Sequence, residues 1–430
     1  MGNQIVVTSQ FGAGATMDAY IVATSLPLLL VQPLITVIQG SVIPSYARLR
    51  THGTNEQVSI LFSTLLNVVL LGSALLTVVM LIFRHQVIVL SAPALDPARQ
   101  ELAVGLAPYV FPVLLLMLVI GFLQSILNTE GQFGWPAYSG VLVPLATMAI
   151  VLLAPASVGI VALAIGTLVG VSLQLGVCIA RVRRAKIVYR PVLHLRNTAL
   201  GTIALAAWPL LFTELMAEIS PFVDQIVASF LSAGNIAAIS YALKLISVPV
   251  SVIFVSVQRA ALPHMSRQAA ARDFQALKKT LHLNIWATGM STAMLSILIV
   301  ILAHPLVQIL FQHGAFSAEE TDRTATVLRG FAVGLVPMAL GFIVPDAFVA
   351  LGKTRVLIYI NAFSITANAV FDFAFAHIWQ AFGIALATSL VYLCSSCIKI
   401  LVLRHMIGTL NLLTPPPQLV DLVRKVRSRA

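Results

Sequence analysis

Long apolar runs separated by short polar or Gly/Pro-punctuated connections organise this chain. They lie at about 17–47, 58–83, 102–127, 135–154, 158–180, 199–231, 237–263, 281–312, 325–351, 355–377 and 381–403. A helix that crosses a bilayer needs about 20 apolar residues, and these runs are of that order. They lack the two-residue alternation of barrel strands, which excludes a closed β-barrel. The opening MGNQIVVTSQFGAG is too short to span and too polar for a cleavable signal peptide. It reads as the second half of a first helix. Eleven runs plus this stub predict an all-α polytopic membrane protein with about twelve transmembrane helices, the first one truncated.

The connections carry the second signal. With the stub counted as the first span, cations follow the even-numbered spans: Arg48 and Arg50; then Arg181, Arg183, Arg184, Lys186, Arg190 and Arg196; then Arg267, Arg272, Lys278 and Lys279. Lys353, Arg355, Lys399, Arg404 and the tail residues Arg424, Lys425, Arg427 and Arg429 continue the series. The other connections carry only Arg84, Arg99, Arg323 and Arg329. By the positive-inside rule both termini are cytoplasmic. The longest basic loop falls near the middle and separates six spans from six. It divides the chain into an N-terminal helical lobe (1–180), a basic cytoplasmic linker (181–197), a C-terminal helical lobe (198–413) and a basic cytoplasmic tail (414–430). An internal repeat supports this division. FGAG…AY…LP…VIPSYARL from Phe11 resembles FLSAG…SYA…VP…ALPHMSRQ from Phe230, with offsets of 220 (Gly14 to Gly234) and 219 (Pro44 to Pro263, Arg48 to Arg267). An even number of spans per repeat makes two parallel six-helix lobes, a geometry used by transporters that rock about a site at mid-membrane.

Composition agrees and narrows the function classes. The chain is 59% hydrophobic and 10% charged, with a mean hydropathy of +0.97, against about 25% charged residues in soluble domains. The net charge of +11 sits at span ends, as topology demands, so it does not indicate nucleic acid. Cys178, Cys394 and Cys397 lie in apolar runs, and the CxxC-like pair lacks further soft ligands. There is no phosphate-binding loop, no HExxH and no legible Ser/His/Asp set. Nothing in the sequence argues for an enzyme, and no cofactor other than a coupling ion is indicated.

Candidate chemistry lies in the charges within apolar runs: Asp18, Glu214, Glu218, Asp224, Lys244, Arg259, Asp346 and Asp372. A charge near the bilayer centre costs about 2.5–3.5 kcal/mol on insertion scales and turns toward a bundle interior or an aqueous cavity. Lys244 and Arg259 share one predicted helix, so they can attract an anion inside the membrane. Asn368 and Asp372 are four residues apart and share a helix face. With Asp224, Thr388 and a carbonyl such as that of Ile384 they form a set of hard oxygen donors. Such donors suit alkali or alkaline-earth ions. The same groups serve equally as hydrogen-bonding glue between helices.

Several motifs resemble one family. These are FGAGATMDAYIVATSLP (Phe11–Pro27), ASFLSAGNIAAISYALKLISVP (Ala228–Pro249), LPHMSR (Leu262–Arg267), LFQHGAFSAEETDRTATVLRGFAVGL (Leu310–Leu335), ALGKTR (Ala350–Arg355) and the Asn368…Gly383 stretch. Together they are similar to the MurJ/MviN-type lipid II flippases of the multidrug/oligosaccharidyl-lipid/polysaccharide exporter superfamily. The resemblance implies a two-lobe bundle around a cationic cavity that turns a lipid-linked sugar diphosphate from the inner to the outer leaflet. It implies substrate-binding roles for Asp18 and Lys244. It also implies a sodium site at Asp224, Asn368, Asp372, Thr388 and the Ile384 carbonyl. The chain departs from the pattern where family arginines fall at Asn3 and near Val31, where Arg259 is an added cation, and where the family's last two spans have no counterpart after Pro417.

The expectation is therefore a sodium-coupled flippase of a polyprenyl-diphosphate-linked saccharide, multi-pass in a bacterial inner membrane and monomeric. Its partners are the cargo and the bilayer. A cation-coupled exporter of drugs or small molecules and a non-transporting scaffold of a cell-wall or polysaccharide complex are the competing readings. The basic Lys244 argues against the drug exporter.

Overall fold

The computed structural model describes residues 2–185, 187–194, 198–408 and 415–416, without side chains at 137, 198–200, 202, 204, 206, 254–256 and 258–260. The described residues form fourteen α-helices and one short 3-10 turn, with no strand. The chain divides into two compact units, the first comprising Met1–Gly234 with Phe311–Ser317 and the second Asn235–Leu310 with Ala318–Ala430.

The first unit holds α1 (Gly2–Phe11), α2 (Ala15–His52), α3 (Asn55–Ile82), α4 (Arg84–Ser91) and α5 (Pro97–Thr129). It continues through α6 (Gly134–Ser139), α7 (Leu142–Leu153), α8 (Val161–Arg184) and α9 (Thr198–Ala228). Local chemistry sets several starts. Thr54 and Gln57 form a reciprocal capping box before α3. Asp96 caps α5, whose first residue is Pro97, where the missing N–H costs nothing. The core gathers Tyr46, Phe62, Phe122, Ile126 and Val171, with the Phe62 and Phe122 rings stacked at 5.8 Å. Leu71, Leu75 and Ile82 on α3 point outward from that core, as suits a lipid-facing surface.

Glycines bring α7 and α8 into backbone contact. A Cβ at Gly166 would lie 2.9 Å from the Thr147 Cα, and one at Gly170 would lie 2.7 Å from the Val143 Cα. Small residues are the usual means of such close approach between membrane helices. The apolar run at 135–154 is not one helix, contrary to the sequence expectation, but α6 and α7 parted around Gly140.

After α8 the chain becomes an extended strap along α3. The Arg190 N–H donates to Ser63 Oγ (2.8 Å), the His194 N–H to Thr64 Oγ1 (3.3 Å), and Asn67 Nδ2 to the Val192 carbonyl (3.1 Å). Arg190 also pairs with Glu56 at 2.8 Å. An extended segment has no backbone partners of its own, so side chains of α3 supply them. Lys186 and residues 195–197 of the basic linker lie outside the described residues, as does nearly all of the tail.

The second unit holds α10 (Asn235–Ala270), α11 (Phe274–Phe311), α12 (Ala318–Val333), α13 (Leu335–Ala350) and α14 (Arg355–Ile407). Met265, Leu277, Leu281, Phe348 and Leu403 centre its core. The run at 325–351 is bent by 44° between α12 and α13, where a single straight span was expected. Pro337, which has no N–H to offer the Val333 carbonyl, and Ser389 both mark the break. The Ser389 hydroxyl donates to the Gly330 carbonyl at 2.9 Å, and the Gly334 N–H turns instead to the Phe331 carbonyl at 3.0 Å. A side chain inserted into the i→i−4 ladder is a recognised source of a kink.

α14 is continuous in name only. Gln380 has φ 52° and ψ −136°, and a Cβ at Gly383 would lie 2.1 Å from the Phe375 carbonyl oxygen. Eight residues along a straight helix are separated by about 12 Å. The chain therefore folds back at Gln380 into two legs, in agreement with the sequence division between 377 and 381.

Among the described residues, seven helices are long and apolar enough to cross a membrane: α2, α3, α5, α8, α10 over Asn235–Ile253, α11 and α14. The bent pair α12–α13 makes an eighth when taken as one span. This is an all-helical, multi-pass membrane protein.

Candidate functional site

Lys244 stands on α10 with its side chain exposed beside the buried Tyr241. The residues are three apart and so share a helix face. Lys244 Nζ lies 5.5 Å from the Tyr241 ring centroid, within the range of a cation–π contact. The electron-rich face of the ring steadies the ammonium. The side chain of Arg259, the second cation of this helix, lies outside the described residues.

The oxygen-rich set is distributed over both units. Asn368 and Asp372 are buried on the first leg of α14, and the Asn368 amide donates to the Asp372 carboxylate. Ile384 and Thr388 lie on the second leg, where the Thr388 hydroxyl donates to the Ile384 carbonyl at 3.0 Å. The fold-back at Gln380 sets these two legs against each other. Buried carbonyl, hydroxyl, amide and carboxylate oxygens are the donor types that suit a hard monovalent cation. Asp224 is buried on α9 of the first unit, and Asp346 on α13 of the second.

Asp18 lies in the first turn of α2 and is fully buried. Its Oδ2 accepts from Arg99 Nη1 at 3.0 Å and from the Gly234 N–H at 2.6 Å. Arg99 also binds Asp96 through Nε. The carboxylate thus ties together the starts of α2 and α5 and the turn that ends the first unit. Nearby, Gln225 Nε2 donates to Ser25 Oγ (2.9 Å) and to the Ser91 carbonyl (3.1 Å). The Ala315 N–H donates to the Ser9 carbonyl at 2.7 Å. The FGAG and FQHGAFS motifs meet there, because Gly314 (φ 60°) passes so close that a Cβ would lie 2.2 Å from the Ser9 oxygen.

Two residues escaped the sequence reading. Arg99 was counted as a loop cation, yet it is the buried partner of Asp18. The Asp96-Pro97 helix start was visible three residues before it, but nothing local pointed to Asp18. Lys399 was counted with the cytoplasmic connections, yet it is buried inside α14. Its place within the apolar run 381–403 was the available signal.

The model of the lipid II flippase MurJ family matches residues 7–416. The chain belongs to that family. A probable lipid II flippase MurJ of Buchnera aphidicola is 24% identical over 391 residues, covering 90% of this chain and 76% of the relative. The lipid II flippase MurJ of Burkholderia cenocepacia is 26% identical over 377 residues, covering 85% and 73%. The Rickettsia prowazekii relative is 25% identical, covering 75% of this chain and 64% of its own length. The fold matches a solved lipid II flippase MurJ in an inward closed conformation, with a TM-score of 0.77 and 22% identity over 95% of this chain and 87% of the other. It also matches an inward-facing multidrug resistance MATE family transporter, with a TM-score of 0.80 and 16% identity over 96% and 94%. Two families named for different cargoes thus share this architecture, and the fold by itself does not choose between them. The family match does, and a flippase moves a lipid without transforming it.

Proposed function

We propose that this chain flips a polyprenyl-diphosphate-linked saccharide, with lipid II first among cargoes, across a bacterial inner membrane by alternating access. The family match along residues 7–416 carries the reading. Lys244 supports it, because a basic group held over Tyr241 suits a diphosphate and repels a cationic drug. A lysine acts there as a point charge rather than as the two-pronged donor that an arginine offers. Asp18 contributes indirectly, by holding the helix starts beside Arg99, rather than by touching an anion.

The topology we infer has twelve membrane segments, the first represented only by the short α1, followed by α2, α3, α5, α6 with α7, α8, α9, α10, α11, α12 with α13, and the two legs of α14. The two halves form parallel six-helix lobes, both termini face the cytoplasm, and the protein acts as a monomer. Sodium bound by Asn368, Asp372, Thr388 and the Ile384 carbonyl biases the conformational equilibrium by differential affinity for its two ends.

Complementation tests the cargo. A strain depleted of its own lipid II flippase should grow when this chain is expressed, and the Lys244→Ala variant should fail at equal membrane abundance. Growth failure with the wild-type chain present and folded would redirect the reading toward another lipid-linked saccharide. Normal partner binding by a doubly neutralised Lys244→Ala, Asp372→Ala protein that moves nothing would favour the scaffold reading.

A further inference from the structure

The first unit contains a slot that the reading above leaves unused. Tyr20, Thr24 and Val31 on α2 face Val110 and Met117 on α5 and Val171 on α8, around a cavity of about 110 Å³. Tyr20 and Val31 are eleven residues apart on one helix, so the slot runs about 16 Å along α2. It is long and narrow, a form that suits a chain better than a compact ring system.

The lining carries no charge. Its three hydroxyls are already engaged: Tyr20 with Thr167 at 3.3 Å, Thr167 with the Leu163 carbonyl at 2.9 Å, and Thr24 with the Ile21 carbonyl at 2.9 Å. Water needs two to four polar partners to occupy a cavity, and a site without them stays dry or takes an apolar guest. Loose packing does not account for the void. On its far wall α7 and α8 touch backbone to backbone at Gly166 and Gly170, and Val143, which Gly170 meets, lines the slot. The half-exposed Leu28 marks its mouth.

We propose that this slot holds a stretch of isoprenoid chain, the hydrocarbon part of the cargo next to its diphosphate. This deepens the flippase reading and rests on it for the source of the chain. Of the two hydrocarbons a bilayer offers, acyl chain and isoprenoid, the second arrives with the transported molecule.

The test uses the full chain in phospholipid nanodiscs and an uncharged diazirine-bearing polyprenol, so that labelling does not depend on recognition of any headgroup. The expected result is label on peptides around Thr24, Met117 and Val171, displaced by excess unlabelled polyprenol and not by added phospholipid. Ala164, fully buried in the slot wall, provides the variant. Ala164→Leu adds three carbons to the slot wall and should lower labelling about tenfold or more, since even one methylene changes the fit of an apolar pocket by that order. Binding of the saccharide diphosphate on a short water-soluble carrier should be unchanged. Met117→Trp blocks the slot from another helix and guards against a folding defect in the first variant. Label spread over the lipid-facing Leu71 and Leu75, or displaced equally by phospholipid, overturns the proposal. Loss of short-carrier binding in the wild-type chain would count against the flippase reading instead, with the slot decided by polyprenol alone.

Discussion

Arg99 Nη1 lies 3.0 Å from Asp18 Oδ2 across 81 residues of sequence, with the carboxylate fully buried and the guanidinium nearly so. Two charges taken out of water this far are tolerated because each finds further partners. Asp18 adds the Gly234 N–H, and Arg99 adds Asp96. Breaking such a pair from one side leaves the other charge stranded, at a cost of about 3–5 kcal/mol. Asp18→Ala should therefore lower the thermal midpoint of the detergent-purified protein strongly. Asp18→Asn should cost less, because its carbonyl can still accept from Gly234. The double variant Asp18→Ala, Arg99→Met should recover part of the loss. If the single and double variants melt together, the pair is not what holds this end of the unit.

Asp96 offers a pH signature of the same region. The Arg99 backbone N–H, followed by its guanidinium, holds the Asp96 carboxyl below the usual aspartate range. A carboxylate with a depressed pKa in the folded state stabilises above its unfolded value of about 3.9 and loses that contribution as pH falls through the lower folded value. The side chain is 46% exposed, so solvent weakens the effect. Asp96→Asn should thus differ from wild type in melting temperature near neutral pH and converge with it well below pH 4. Removing the cap altogether, as Asp96→Ala, should cost about 1 kcal/mol. A difference that persists unchanged at low pH would assign the stabilisation to something other than the ionised cap.

The reversal of α14 depends on one missing methyl group. Gly383→Ala would press its Cβ to within 2.1 Å of the Phe375 carbonyl. It should destabilise by at least the ~1–3 kcal/mol of ordinary overpacking, and it should weaken sodium binding together with stability. Gly176 on α8 has open space around its Cβ position and serves as the control. There alanine should be neutral or stabilising by up to about 1 kcal/mol. Melting curves of the two variants side by side settle the comparison.

Sodium should raise the melting temperature of the wild-type protein relative to equal concentrations of choline chloride, since a ligand that binds only the folded state stabilises it by mass action. Asp372→Ala should abolish the difference and leave Lys244-dependent anion binding in place. A shift produced equally by choline would be an ionic-strength effect.

For transport, Lys244→Arg should retain activity and Lys244→Ala should lose it by about tenfold or more, the scale of losing a charge-assisted contact of about 1.5–3 kcal/mol. Flipping of a labelled lipid-linked saccharide in proteoliposomes checks both. Unaltered flipping by Lys244→Ala would remove the residue from the substrate path.

The apolar runs made the spans readable because a helix in hydrocarbon must satisfy its backbone internally, and that demand leaves a long, local trace in the sequence. The fold-back after His377 and the Asn368–Asp372 pair were legible for the same reason, since both depend on residues close in sequence. The break at Gly334 was only half legible: Pro337 lies three residues on, but Ser389, more than fifty residues away, takes the Gly330 carbonyl. Arg99 was misread for a related reason. A cation at the start of a helix carries no mark to distinguish a topology signal from a buried partner. What remained hidden in each case was a pairing between distant segments, for which a single sequence holds no period.

The strap between α8 and α9 has a consequence for how this family drifts. Its backbone is seated on Ser63, Thr64 and Asn67 by contacts 127, 130 and 125 residues apart in sequence. Backbone groups cannot mutate, so apart from Tyr189 and Arg190, whose side chains also bond α3, the strap can change its side chains, while the hydroxyls and the amide of α3 cannot change without releasing it. A loop of this kind should diverge rapidly in letters and hardly at all in length, and its history should be recorded in the polar stripe of a helix it does not belong to.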